Sequence, residues 1–366
     1  MDESEFEIEE NTLDQLLQLK ENDGFKNKSW DEWLRFSFKI KPKSTVNEII
    51  ENVEKKFFDE NHFNRYVKNF TLNLEHISKE PSARILDPEH NSEKSKTESA
   101  IVIGRGPSMK KHNHLDVLAK SNFNGSIVCT DGALIKTLKS GVTPEKFQNF
   151  FVVTVDTEED EVDFFDDNIV NKYGEKINGI FSVLVDPKVI KRAMDAKMKI
   201  HWIHPLFDLQ YGKKSFNSIS AQIVRAKKEG VGLPAIQTGG NVGTASWFVS
   251  WQILKCKTVG LIGINHGWEE DDTWETIISH GNVINPGELD KESETFKKLF
   301  PKIFNPDFNS YCILDPTFQY YSNALKEFIS RAPKHVNTIN ATEGGSIFGD
   351  RITSMKFKDF LSMNRN

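Results

Sequence analysis

From Ala100 onward, short apolar runs recur, each followed by small or acidic residues and then by a helical pattern. The runs are AIVIG (100–104), SIVCTD (126–131), FFVVTVD (150–156), IFSVLVD (180–186), KIHWIH (199–204) and TVGLIGIN (258–265), and a further strand is expected over 336–339. Near-continuous apolar strands separated by helices indicate a mostly parallel sheet covered on both faces. The expected class is therefore α/β, doubly wound and Rossmann-like. Before Ala100 the texture is different, rich in charge and Asn with scattered aromatics. Apolar residues at helical spacing (Val46, Ile49, Ile50, Val53, Phe57) fall within 45–74. This predicts a small, mainly helical region over 1–98, its aromatics packed on the main domain and its end a polar linker at 87–99. The expected division is 1–98, an α/β domain over 99–350, and a C-terminal tail over 351–366.

Charge and cysteine content narrow the setting. The 366 residues carry 47 Lys+Arg against 53 Asp+Glu, a net charge of -6, which argues against a broad nucleic-acid-binding surface. Cys129, Cys256 and Cys312 are too few and too far apart in sequence for a disulfide framework or a cysteine zinc site. The acidic start, MDESEFEIEE, lacks the basic and apolar stretches of a signal peptide, and no run reaches the ~18 apolar residues of a membrane span. A cytoplasmic protein with no membrane span is expected.

In a doubly wound sheet, ligands sit beyond the carboxyl ends of the strands. After the first run comes Gly104-Arg105-Gly106-Pro107-Ser108. Such a turn either cradles a phosphate, with Arg105 as charged donor, or is a tight strand-to-helix turn without a ligand. Asp131-Gly132 follows the second run, as a ribose contact or as a helix cap. Asp156 opens an acidic stretch, DTEEDEVDFFDD (156–167). Its strand-end position suits Mg²⁺ binding, whereas 158–167 read as a surface loop. His204 ends the fifth run as a candidate acid/base, a structural role being the stronger reading. A strand would put His201 and His204 on opposite faces, which disfavours a two-His metal site. Thr238-Gly239-Gly240-Asn241 precedes a helix that is apolar nearly all round, and a functional turn is favoured there over a packing turn. Asn265-His266 and, further on, Asn340-Ala341-Thr342-Glu343-Gly344-Gly345 stand at the last strand ends.

Taken in order, GRGPS, CTDGALIKTLKSGVTPEKF…VVTVD, TGGNVGTASWFVSWQILKCKTVGLIGIN and NATEGG resemble the MptE-like domains over about residues 99–350. That family includes archaeal 6-hydroxymethylpterin diphosphokinases. It also includes the central domain of motility accessory factor (Maf) proteins, similar to bacterial sialyltransferases. The resemblance implies a nucleotide-dependent transferase with a small-molecule nucleotide donor. The NATEGG element and the insertion between Asp186 and Thr238 look closer to the Maf branch. That branch implies sugar transfer from a CMP-activated donor to a protein or glycan hydroxyl. The alternative is Mg²⁺-dependent transfer of diphosphate from ATP to a pterin-like alcohol, which the acidic stretch after Asp156 resembles. A non-catalytic nucleotide-binding scaffold is the third reading, and a homo-oligomer is admissible. Asn265-His266 stands where both branches commonly have an acidic residue. On this reading Gly104, Arg105, Gly106, Ser108, Asp131, Gly132, Thr238, Gly239, Gly240, Asn241, Thr342 and Glu343 hold the nucleotide. Asp156 holds Mg²⁺ or orients the acceptor, and His266 or His204 supplies the acid/base.

Overall fold

The structure is a computed structural model that describes residues 10–27, 29–38, 60–89, 91, 97–206, 210–211, 214–225, 232–280 and 293–364. The helical spacing at Val46 to Phe57 lies outside these residues. The chain forms two compact units, Met1–Glu48 and Ile49–Asn366. In the smaller unit, helices Glu10–Asn22 and Trp30–Ser37 are tied by Lys20 over the Trp30 ring and by a 2.8 Å bond from Trp33 Nε1 to Asp23.

The larger unit is built on a parallel sheet, nine-stranded among the described residues. Its strands are β1 (Ser99–Ile103), β2 (Ser126–Thr130), β3 (Phe150–Thr154), β4 (Asn178–Ser182), β5 (Lys199–Pro205), β8 (Ala235–Ile236), β9 (Thr258–Ile262), β12 (Asn337–Asn340) and β13 (Ile352–Ser354). Two short antiparallel pairs stand apart from it: β6 (Gln210–Tyr211) with β7 (Lys214–Ser215), and β10 (Lys302–Asn305) with β11 (Ser310–Ile313). The sheet order is β13-β12-β9-β1-β2-β3-β4-β5-β8. Each apolar run feeds two cores, because successive side chains in a strand point to opposite faces. Ile101, Ile127, Cys129, Phe150 and Val152 enter one core, while Ala100, Val102, Val128, Phe151 and Val153 enter the other. Helices Glu60–Lys79, His114–Ala119, Leu134–Lys139, Asn168–Tyr173 and Pro187–Asp195 contribute to the first core. The second is closed by Pro316–Arg331 and by Val242–Phe248, which runs on into a π-helical turn, Val249–Ile253. This last helix is buried all round, and its Trp247 indole N–H bonds Thr338 Oγ1 at 2.9 Å.

The expected α/β class, doubly wound and Rossmann-like, is what the structure has. The expected division is drawn differently. Helix Glu60–Lys79 belongs to the larger unit, with Tyr66, Phe70 and Ile77 in its core. The stretch 351–366 is more than a tail: it supplies β13 and helix Phe357–Met363, whose Phe357 and Phe360 are buried. Among the described residues no helix is long and apolar enough to cross a membrane.

Candidate active site at the carboxyl ends of the central strands

From β1 the chain steps outward through β2, β3, β4, β5 and β8, then returns to place β9 on the other side of β1. The switch point of the sheet is therefore the gap between β1 and β9, the place where such folds open a ligand crevice. Here that gap is filled by protein. Gly104 N–H donates to Ile262 O and Gly106 N–H to Gly263 O, both at 2.9 Å. A Cβ on Gly104 would strike the Gly263 carbonyl, and one on Gly106 would strike Asn265 Oδ1. Ser108 Oγ donates to Asn265 Oδ1 at 2.8 Å. These glycines permit two loops to interlock, so Gly104 and Gly106 have no N–H left for a phosphate, and the Ser108 hydroxyl proton is already given to Asn265. Arg105 is the exception in this turn. Its side chain is exposed, extends beside Gly132 and lies 5.3 Å over the Phe164 ring.

One and two strands further on, the polar groups are not satisfied. Asp131 opens a 3₁₀ turn after β2, Asp156 lies just past β3, and the 3₁₀ turn Glu159–Phe164 brings Glu161 back toward both. One carboxylate oxygen from each lies within 4.8 Å of the other two. Burial raises the Asp131 carboxyl to about 6, against the pull of the Thr154 hydroxyl, the Gly132 N–H (2.7 Å) and Arg105. Burial first, and then the Asp131 charge, raises Asp156 to about 7. Burial followed by Asp156 and Asp131 raises Glu161 to about 9. Three acids share one nearby guanidinium, and Asp131 Oδ2 and Glu161 Oε2 are buried without a hydrogen-bond partner. A set of hard oxygens with unfilled lone pairs matches the donor preference of Mg²⁺ or a similar divalent cation.

The acidic stretch therefore divides in a way that the surface-loop expectation for 158–167 missed. Glu161 turns inward, whereas Glu159 pairs with Lys188, Asp166 with Arg192, and Asp167 caps the next helix and pairs with Lys139. Glu158 pairs with Arg65 of helix Glu60–Lys79.

The remaining candidates divide between this place and structural duty. Gly239 and Gly240 have φ of +54° and +80°, and a Cβ on Gly240 would press on Tyr320 and Tyr321. Gly240 N–H is held by Thr238 Oγ1 at 3.3 Å. Asn241 caps the buried helix: its Oδ1 accepts from Thr244 N–H at 2.8 Å, and its Nδ2 reaches Gly239 O and Thr244 Oγ1. The cap leaves Asn241 no role as a phosphate donor. His266 is buried against Phe318 and Tyr321, its imidazole held down to about 3 by burial and then by Lys326. It stays neutral at working pH. His204 Nε2 is 2.6 Å from Ser220 Oγ, and His201 Nδ1 is 3.2 Å from Gly179 O, both inside the core. Thr342 spends its hydroxyl on Leu261 O, and Glu343 accepts from Phe357 N–H while lying 3.4 Å from His114. Thr342 thus ties the loop after β12 to β9, and Glu343 ties the same loop to the C-terminal helix. The structure gathers Arg105, Asp131, Gly132 and Asp156, with Thr238 and Gly240 lining a cleft beside Asp156.

The family model described as "6-hydroxymethylpterin diphosphokinase MptE-like" matches residues 68–271, more than half of the chain. The chain belongs to the MptE-like family. Among curated proteins none matches it. Among solved structures this MptE-like chain is similar to the Maf glycosyltransferase from Magnetospirillum magneticum AMB-1, with TM-score 0.48 and 14% identity over 73% of this chain and 36% of that one. The chain thus spans little more than a third of that glycosyltransferase's length. Within the MptE-like segment, sequence reasoning missed Glu161. Outside it, the missed residues are His62, Arg65 and Tyr66, which stand beside Asp156 and Glu158, and Tyr321, whose phenol is raised by burial and then by Asp156. His280, whose Nδ1 is 2.6 Å from the buried Asp315 Oδ2, lies outside both the carboxylate cluster and the cleft lining. An imidazole oriented by a buried carboxylate has no local sequence signal when 35 residues separate the two.

Proposed function

We propose that the protein is a transferase that takes a nucleoside-phosphate donor with a divalent cation and passes a group to a hydroxyl acceptor. The observation that supports this is the cluster of Asp131, Asp156 and Glu161, with two buried oxygens lacking any partner, beside the exposed guanidinium of Arg105. Asp131, Asp156 and Glu161 would hold the cation, and Mg²⁺ bound there would offset charge on donor phosphate oxygens. Arg105 adds a second, fixed positive group that can take a phosphate bidentately. Gly132 N–H keeps the Asp131 carboxylate aimed by its 2.7 Å bond. Phe164, under Arg105, limits the directions in which the guanidinium can swing.

Among the donors considered from the sequence, this cluster favours diphosphate transfer from ATP to a small alcohol, in keeping with the description of the family model. Charge in phosphoryl transfer builds on the oxygens that a cation and an arginine neutralise. Sugar transfer from a CMP-activated donor is the second reading. It draws on the pyrimidine-sized cleft beside Asp156, which has a volume of about 150 Å³. Calorimetric titration of ATP, CMP and pyrophosphate, each with and without Mg²⁺, tests the proposal. Binding that depends on Mg²⁺ and is lost in Asp131→Asn is expected. Equal binding with chelator present, or in the variant, would sink it.

A further inference from the structure

The cleft beside Asp156 is walled by residues that lie outside the family-matched segment. That segment begins at residue 68, whereas His62 and Tyr66 precede it. Their helix is anchored at the sheet edge. Asn69 Nδ2 donates to Thr157 O at 3.1 Å and to Leu184 O at 2.9 Å, and Asn73 Nδ2 donates to Val185 O at 2.7 Å. Four residues apart, the two amides share one helix face and bind the loops after β3 and β4. The Arg65–Glu158 ion pair adds a third tie, one turn earlier. The wall is therefore built in advance of any ligand, and His62 and Tyr66 meet edge to face with ring centroids 6.2 Å apart.

The space between this wall and the strand ends is about 150 Å³. A cavity of about this size holds one benzene ring. Leu184 and Pro205 give it apolar sides, while Asp156, Glu158 and Thr238 line it with oxygen acceptors. Apolar sides with acceptors at the edge suit a flat ring that carries N–H donors, and they disfavour an anion.

We propose that this cleft is the subsite for a flat, N–H-bearing six-membered ring, either a pyrimidine or the leading half of a purine or pterin, and that His62 and Tyr66 determine which ring is accepted. The proposal rests on the transferase reading above, because it places that ring next to the carboxylate cluster. The ring belongs either to the donor's base or to the acceptor, and the experiment separates these.

The full-length chain, His62→Ala and His62→Trp are titrated in Mg²⁺ with CMP, AMP, free 6-hydroxymethylpterin and inorganic pyrophosphate. His62 is only half-buried, so both variants should fold; Tyr66→Phe, which keeps the ring, is a third variant. The indole of His62→Trp should fill the cleft and weaken the ring-bearing ligand about tenfold or more, leaving pyrophosphate unchanged. Selective loss of a nucleotide assigns the ring to the donor, and selective loss of the pterin assigns it to the acceptor. Wild-type affinity for every probe in both His62 variants overturns the proposal, as does an equal loss of pyrophosphate or the failure of every ring-bearing probe to bind the wild type. Failure of pyrophosphate alone to bind in Mg²⁺ removes the transferase reading, and the ring arms still decide the cleft.

Discussion

Along one sheet edge, the glycine turns after β1 and β9 complete each other's hydrogen bonds, whereas the acids after β2 and β3 leave two buried oxygens with none. The first region has the glycines and the position of a phosphate cradle. Its two glycine N–H groups are nonetheless spent on Ile262 O and Gly263 O, and its glycines exist because a Cβ would collide with the facing loop. The second region has an ordinary-looking acidic stretch, yet burial raises all three of its carboxyls above their usual range, and neighbouring acids add to this at Asp156 and Glu161. A glycine turn can be fully explained by packing, but a buried carboxylate oxygen without a donor needs a proton or a cation. Incomplete hydrogen bonding is the better guide to a ligand here.

Replacing one acid should separate the two regions most sharply. Asp131→Asn is expected to lower turnover by roughly 10²-fold or more, the order seen when one preorganised charge-stabilising group is lost, and to abolish the Mg²⁺-dependent rise in melting temperature. Without Mg²⁺ the same variant should melt no lower than the wild type, because it removes a buried acid whose ionised form burial disfavours and whose charge raises Asp156 and Glu161. A fall of several degrees in cation-free buffer would mean that Asp131 is a structural residue.

Gly104→Ala should do the reverse. Overpacking against the Gly263 carbonyl is expected to cost about 1–3 kcal/mol in a urea titration, with Mg²⁺ affinity kept in the folded protein. A stable Gly104→Ala that no longer binds nucleotide would return the β1 turn to the list of phosphate contacts.

The acids also predict a pH dependence of definite sign. Glu161 keeps its proton in the fold up to about 9, whereas in the unfolded chain it loses it near the ordinary glutamate value of 4.5. Between these values the native state binds more protons than the unfolded state, so stability falls as pH rises. Mg²⁺ competes with those protons, and should raise the melting temperature more at pH 8.5 than at pH 6. Glu161→Gln should flatten this difference; a variant with the wild-type pH slope would exclude Glu161 from the cluster.

The smallest effect is expected at Asn241. Loss of its cap should cost about 1 kcal/mol and leave the affinity for pyrophosphate with Mg²⁺ unchanged. A loss of affinity exceeding about tenfold would show that the 238–241 turn touches phosphate directly.

The main strands were legible in the sequence because both faces of the sheet are covered, which turns each strand into an uninterrupted apolar run. β8 and β13 were not, since two or three residues carry no period. The strand-end rule singled out Arg105, Asp131 and Asp156 for the same reason that it also chose Gly104 and Gly106: it locates the sheet edge and is blind to which groups there are already paired. Glu161 could not be told from its acidic neighbours, because only the 3₁₀ turn decides which carboxylate of the stretch points inward. His266 has the strand-end position of a catalytic base, but burial against Phe318 and Tyr321, and then Lys326, lower its proton affinity far below that of an effective base, and none of these is near it in sequence.

The paired amides of Asn69 and Asn73 carry a consequence for where this chain can be cut. A fragment begun at residue 68, where the family match begins, would start at the clamp itself and leave Asn69 in the first, fraying turn of its helix. The loops after β3 and β4 would lose the surface that fixes their spacing, and Arg65 would no longer answer Glu158. The unit that behaves as a whole in solution is thus longer than the segment by which the family is recognised. Begun at residue 68 but kept to the C-terminus, because 272–366 supply β12, β13 and the helix closing the second core, the chain should have a loosened carboxylate cluster and a widened mouth, while one begun at residue 49 should keep both in place.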